Sequence, residues 1–290
     1  MQENNEIKAL LHLIDDPDED VYLTVSDKLI SMGKDIIPNL EQLWETVNNE
    51  ATQERIELLI HHLHFRDLTE EFTQWLNNSS GDLMKGALIV AKYHYPDIQY
   101  SVVLQEIEKL RRNIWLELNV YLTPMERINV LNSIFYNYYK QSGIEISYDN
   151  PDQFLINKTL ETKTGNSISN GIVYLILCDL LDIPVYATSI PRQFILGYFD
   201  EQYDLLNPAG HPSQKILFYI DPIAGQMYSN KDVDSYFKKL NIPSAASYFR
   251  PLSNKLVIKF LLQELSKCFD NENNLYKLAE LKTLSNLIDL

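Results

Sequence analysis

Apolar residues recur at helical spacing from the first turns of the chain. Ile7, Leu10, Leu11 and Ile14 follow the 3, 4, 7 rhythm of one helix face. Asp16-Pro17-Asp18-Glu19 follows, and it predicts a second helix capped by Asp16, with Pro17 in the first position. That helix carries Val21, Val25, Leu29 and Ile30, and Gly33 ends it. Ile37-Pro38 opens a third helix with Leu40, Leu43 and Trp44, and a fourth runs through Ile56, Leu59, Ile60 and Leu63. The paired helices resemble a HEAT-type repeat, which buries little surface by itself.

A polar stretch, Asn77 to Asp82, marks a junction. Helical patterns follow at about 82–94, 98–118 and 124–141, with a short one around Phe154, Leu155 and Leu160. A strongly apolar helix is expected from Ile168 to Leu181, with Ser167 as a good N-cap. After Asp182-Ile183-Pro184 the pattern becomes β-rich. Val185–Ile190 reads as a strand, and Gln193–Phe199 and Ile216–Asp221 as a hairpin with a long polar tip. Residues 231–240, 252–268 and 272–289 are helical. The fold class is α+β, with one small antiparallel sheet among many helices and a helical C-terminus.

Composition refines this picture unevenly. The chain has 290 residues, 45% hydrophobic, enough for a sizeable core, and a net charge of −15. Residues 1–76 hold 17 acidic and 5 basic residues, so most of the charge sits in the first quarter. This shift sets the expected divisions: an acidic helical unit at 1–76, a core at 77–250 and a helical segment at 251–290. The acidity argues against a nucleic-acid partner, which needs a basic face. The N-terminus lacks a basic segment followed by an apolar one, and Asp179 interrupts the longest apolar run. A cytoplasmic protein without a membrane partner is expected.

Cys178 and Cys268 have no CxxC or Cys/His metal spacing, and Cys178 sits in an apolar run where an inert thiol is expected. His61, His62 and His64 share a helix but lack a suitable third ligand, so neither a metal nor a cofactor is expected.

The segment from Asn150 carries the chemistry. "NP…FLxNxxLExxxGNSIS" spans Asn150 to Ser169, "IPVY…IPxxFILxY" spans Ile183 to Tyr198, and "FYIDP" spans Phe218 to Pro222. In order and spacing these resemble the transglutaminase-like superfamily, specifically its bacterial SirB-type branch. The resemblance implies a thiol-protease-like layout: a nucleophile at the start of the central helix, a base beginning one strand and an acid on the next. Those positions fall at Ser167, Gln193 and Asp221, with Ser169 the alternative for the first. Asn166, Ser169 and Phe194 are the expected binding neighbours. Pairing Gln193 with Asp221 across the hairpin, and Phe199 with Lys215, would make base and acid neighbours.

Two of the three chemical roles are absent from this set. A serine hydroxyl is a poor nucleophile without a base, and a glutamine amide accepts no proton near neutral pH. Gln193 is expected instead to donate a hydrogen bond to Asp221. The expectation is a degenerate triad whose cleft binds a peptide or protein without catalysis. The alternatives are a hydrolase or acyl transferase using Ser167, with His211 as a substitute base, or a scaffold whose old pocket is filled by side chains. The sequence does not specify an oligomeric state.

Overall fold

The computed structural model describes residues 2–78, 81–200, 203, 212–270 and 274–289. The chain divides into two compact units, Met1–Gln74 and Trp75–Leu290.

The first unit has the four helices that the apolar rhythm predicts: α1 (Gln2–Leu11), α2 (Glu19–Ser31), α3 (Ile37–Thr46) and α4, which runs over Glu50–Asn77. Their apolar faces converge on Ile14, Val25, Leu29, Leu40, Ile56, Leu59 and Leu63, all buried. The cap of α2 differs from expectation. Asp18 is its N-cap, accepting from the Asp20 N–H. Asp16 instead accepts from the Asp18 N–H at 2.9 Å, two residues earlier. In Asp-Pro-Asp either acid has the right chemistry, and the local turn made by the first hands the cap to the second. Gly33 has φ +80°, the left-handed conformation required of it. Arg55 donates to the Ile14 and Asp16 carbonyls at 3.0 and 2.8 Å, tying the first connection to α4.

The second unit opens with α5 (Leu83–Lys92), α6 (Tyr100–Glu117) and α7 (Pro124–Asn132), the last widening into a π-helical turn at Ser133–Tyr138. Two short strands, β1 (Ser142–Gly143) and β2 (Thr164–Gly165), pair in parallel around α8 (Ile156–Thr162). The central helix α9 (Ser167–Leu180) is buried continuously from Ser167 to Cys178. That explains its nearly unbroken apolar sequence, because no face of it needs a polar stripe.

Strands β3 (Val185–Thr188), β4 (Ile195–Phe199), β5 (Ile216–Asp221) and β6 (Gln226–Tyr228) form an antiparallel sheet in that order. Then come α10 (Asn230–Leu240), α11 (Asn254–Ser266) and α12 (Leu275–Leu287). Phe199, Ile216 and Tyr219 of the sheet share a core with Val233 and Phe237 of α10. Helix α11 packs on α5, α9 and α12 within the same unit.

The hairpin register corrects the expected one. Leu196 lies opposite Ile220, and Phe199 opposite Ile216, with a bulge between Tyr198 and Phe199. Continuing that register sets Ile195, not Gln193, across from Asp221. Two local features account for the difference. The bulge absorbs one residue. Residues 190–193 are spent in a turn, with Arg192 at φ +63° and the Gln193 N–H bonded to the Ile190 carbonyl. Most of the hairpin tip, with His211, lies outside the described residues.

Candidate functional site

The start of α9 is held by a buried polar network. Asn166 is the N-cap, and its Oδ1 accepts from the N–H groups of Ile168 at 2.9 Å and Ser169 at 3.0 Å. Ser169 Oγ closes the capping box by accepting from the Asn166 N–H, and it donates to the Gln153 carbonyl at 2.7 Å. Asn170 accepts from Gln141 at 2.9 Å and donates to the Ser142 carbonyl at 3.1 Å. This explains Gly165: a Cβ there would come within 2.4 Å of Asn170 Oδ1 and 2.6 Å of Ser169 Oγ. The cap is therefore Asn166 rather than Ser167, because the longer amide side chain reaches two N–H groups. Ser167 becomes the first helical residue. It is 9% exposed, and its hydroxyl makes no hydrogen bond to a described residue.

Asp221 ends β5. Its Oδ1 accepts from the Ile223 N–H at 2.8 Å, and its carbonyl accepts from the Gly225 N–H at 2.8 Å. The turn that follows is fastened from outside the sheet. Tyr136 donates to the Pro222 carbonyl and Asn132 to the Gly225 carbonyl, both at 2.8 Å. The Asn132 oxygen accepts from the Tyr174 hydroxyl of α9 at 2.9 Å. Gly225 has φ +69°, and a Cβ there would lie 2.6 Å from Asn132 Oδ1. Burial raises the pKa of both phenols, and Asp221 adds to the effect at Tyr136, so each stays a neutral donor.

Gln193, Phe194 and Asp221 meet in one pocket of about 340 Å³ between the sheet and α10. Its buried lining is Ile190, Phe194 and Val233. Ile195, Tyr228 and Tyr236 are half-buried, and Gln193 and Asp232 are exposed. Among the described residues no hydrogen bond joins Gln193 to Asp221, so the expected amide-to-carboxylate bond is not made. Ser167 is not among the lining residues. Phe194 lines the pocket, stacks on Phe260 at 5.4 Å, and approaches Gly171 so closely that a Cβ there would be 2.5 Å from its ring. Gly171 lies one turn after Ser167 on the same helix face.

Other candidate groups lie apart. Cys178 is fully buried, and burial raises its pKa well above the thiol range. Cys268 is pushed up to about 11, chiefly by burial. Among the described residues, no group of three or more His, Cys, Asp or Glu could hold a metal. No helix there is long and apolar enough to cross a membrane.

The sequence reading missed Asn132, Tyr136 and Tyr174, which position the Asp221 turn, and Tyr228, Asp232 and Tyr236, which complete the pocket. Only Asp232 had a usable signal. Ser229 and Asp232 have capping-box spacing, and the box forms, with both Ser229 groups donating to Asp232 Oδ2 at 2.7–2.8 Å.

The chain is 24% identical over 196 residues to UPF0162 protein YchA of Escherichia coli (strain K12), covering 67% of this chain and 68% of that protein. It is 21% identical over 201 residues to protein SirB1 of Salmonella typhimurium, covering 68% and 70%. A UPF0162 protein of Vibrio cholerae is 24% identical over 155 residues, 53% of each chain. No solved structure matches. The profile of the transglutaminase-like superfamily matches residues 101–263, from α6 through most of α11. With these relatives, and with a mostly helical fold that carries one small antiparallel sheet, the chain belongs to the transglutaminase-like superfamily, in its SirB-type branch.

Proposed function

We propose that this protein is a non-catalytic member of its superfamily and binds a peptide or protein segment in the pocket between the sheet and α10. Ser167, Gln193 and Asp221 occupy the three positions of the ancestral triad. One observation carries the reading: Gln193 and Asp221 line the pocket together with Phe194, whose ring packs against Gly171 one turn past Ser167, and Ser167 is not among the lining residues. Among the described residues no base is hydrogen-bonded to the serine, and the amide at 193 cannot act as one. The pocket has an apolar lining with a few polar groups, the make-up of a binding site.

A second surface favours a macromolecular partner. Around the turn from α6 to α7, Trp115, Leu116, Val120, Tyr121 and Met125 are all exposed, Tyr121 by 91%. Adjacent exposed apolar residues of this kind mark interaction surfaces. The acidic HEAT-like unit is proposed as a further contact surface.

The test has two arms, both on the full chain. The first measures transfer of a fluorescent primary amine to a glutamine-containing protein, and cleavage of a mixed peptide library. The expected result is no turnover in the wild type and none in Ser167→Ala. Turnover lost in that variant would overturn the reading. The second arm selects peptides from a displayed library. Enriched peptides should lose binding to Ser235→Trp, which fills the pocket from its exposed side.

A further inference from the structure

We infer that the pocket between the sheet and α10 recognises a basic side chain of its peptide ligand, with the aliphatic stem on the apolar lining and the cationic head between Asp221 and Asp232. The inference rests on the binding role proposed for this pocket and specifies its ligand.

The two acids flank a formed cavity, so the argument does not rest on their clustering alone. Each is half committed. Asp221 uses Oδ1 for the Ile223 N–H, and Asp232 uses Oδ2 for the two Ser229 groups. One oxygen of each carboxylate is left without a hydrogen bond from a described residue. The sheet explains their proximity. Asp221 pairs with Gln226 and Tyr219 with Tyr228 across the same hairpin, and Ser229 directly follows as the cap of α10. Tyr228 lies near both acids: its phenol is raised by burial first, then by Asp221 and Asp232.

Among the described residues no positive charge pairs with them. The lining contains two carboxylates and no Lys, Arg or His. Lys231, next to Asp232 in the chain, and Arg192, next to the lining residue Gln193, are exposed and make no ion pair with either acid. The apolar lining of Ile190, Phe194, Ile195 and Val233 suits a chain of methylenes, and Tyr228 and Tyr236 offer ring faces to a cation. A bare metal ion would leave that lining unused, and two carboxylates fall short of a metal's usual oxygen set. A lysine or arginine side chain matches both halves of the pocket.

The experiment titrates the full chain, carrying labelled isoleucine and valine methyl groups, with N-acetyl-lysine amide and N-acetyl-arginine amide. N-acetyl-norleucine amide and Nε-acetylated lysine amide serve as uncharged controls. Shifts should concentrate at Ile190, Ile195 and Val233. Binding of the two cations should be about tenfold tighter than that of the controls, because a charge-assisted hydrogen bond is the stronger kind. It should weaken as salt screens the exposed acids. Asp221→Asn and Asp232→Asn keep shape and should each reduce the preference for the cations, with unchanged methyl dispersion reporting an intact fold. Norleucine amide binding as tightly as lysine amide, or no lysine-induced shift at these methyls, would overturn the inference. The library selection separates the two failures. Peptides sensitive to Ser235→Trp but without a basic residue sink this inference and leave the binding role standing. The absence of any such peptide sinks the binding role as well.

Discussion

Asn166 caps α9 in an environment very different from that of an ordinary surface cap. Its side chain is fully buried, and so are the two N–H groups it satisfies, those of Ile168 and Ser169. Replacing it with alanine deletes the acceptor and admits no solvent to replace it. A surface cap costs about 1 kcal/mol to remove. A buried donor left unsatisfied costs roughly 1–3 kcal/mol. Two such donors, one of them able to recover part of the loss through a small shift, give an expected cost of about 2–4 kcal/mol. Ser229 supplies the internal control. It caps α10 with the same kind of box but on the surface, so Ser229→Ala should cost only about 1 kcal/mol. Urea unfolding followed by circular dichroism measures both. Hydrogen exchange of peptides covering 160–180 and 225–240 then shows whether each loss begins at its own helix. Should Asn166→Ala cost no more than Ser229→Ala, burial does not set the energy of this cap, and the reasoning fails.

Gly171→Ala gains about 1 kcal/mol of helix propensity. The new methyl would meet the Phe194 ring at 2.5 Å and Pro222 at 3.1 Å, and overpacking costs about 1–3 kcal/mol, so thermal melting should show a net loss. A gain in Tm would show that Phe194 is free to move. Tyr136→Phe removes a hydrogen bond to the Pro222 carbonyl and should destabilise by about 1 kcal/mol in urea, with altered methyl signals at Ile195. Iodoacetamide should leave Cys178 untouched in the native state. Cys268, with its pKa pushed up to about 11, should react slowly at neutral pH and faster as pH rises toward that value; fast labelling near pH 7 would contradict its assignment. Val120→Ser with Tyr121→Ser should change stability by under about 0.5 kcal/mol, since neither side chain is packed, while reducing any partner binding carried by that turn.

The helices were legible because their periodicity is set by burial, and burial is what the second unit does to α9 on every side. The ends were harder to read. Asp16 and Asp18, two residues apart, and Asn166 and Ser167, which are adjacent, can each supply a capping oxygen, and local geometry and side-chain reach decide between them. The hairpin partners were found, but their offset depends on a bulge at Tyr198 that leaves no mark in composition. Strand β6 has only three residues, Gln226–Tyr228, too few to show alternation, so Tyr228 went unnoticed. Gln193 and Asp221 do share a pocket, although the register that suggested it was wrong by two residues. The supporting side chains Asn132 and Tyr136 lie far back in the sequence, on a helix whose π turn has no sequence signature.

The fastening of the 222–225 turn has a mechanical result. Asp221 is not bonded to the helix that starts at Ser167 across the gap between them, but the two are joined the long way round. From α9 the path runs through the Tyr174 hydroxyl to Asn132, and from Asn132 to the Gly225 carbonyl. A ligand that tugged on the carboxylate would therefore pull on a turn that the end of α7 and the middle of α9 hold in place.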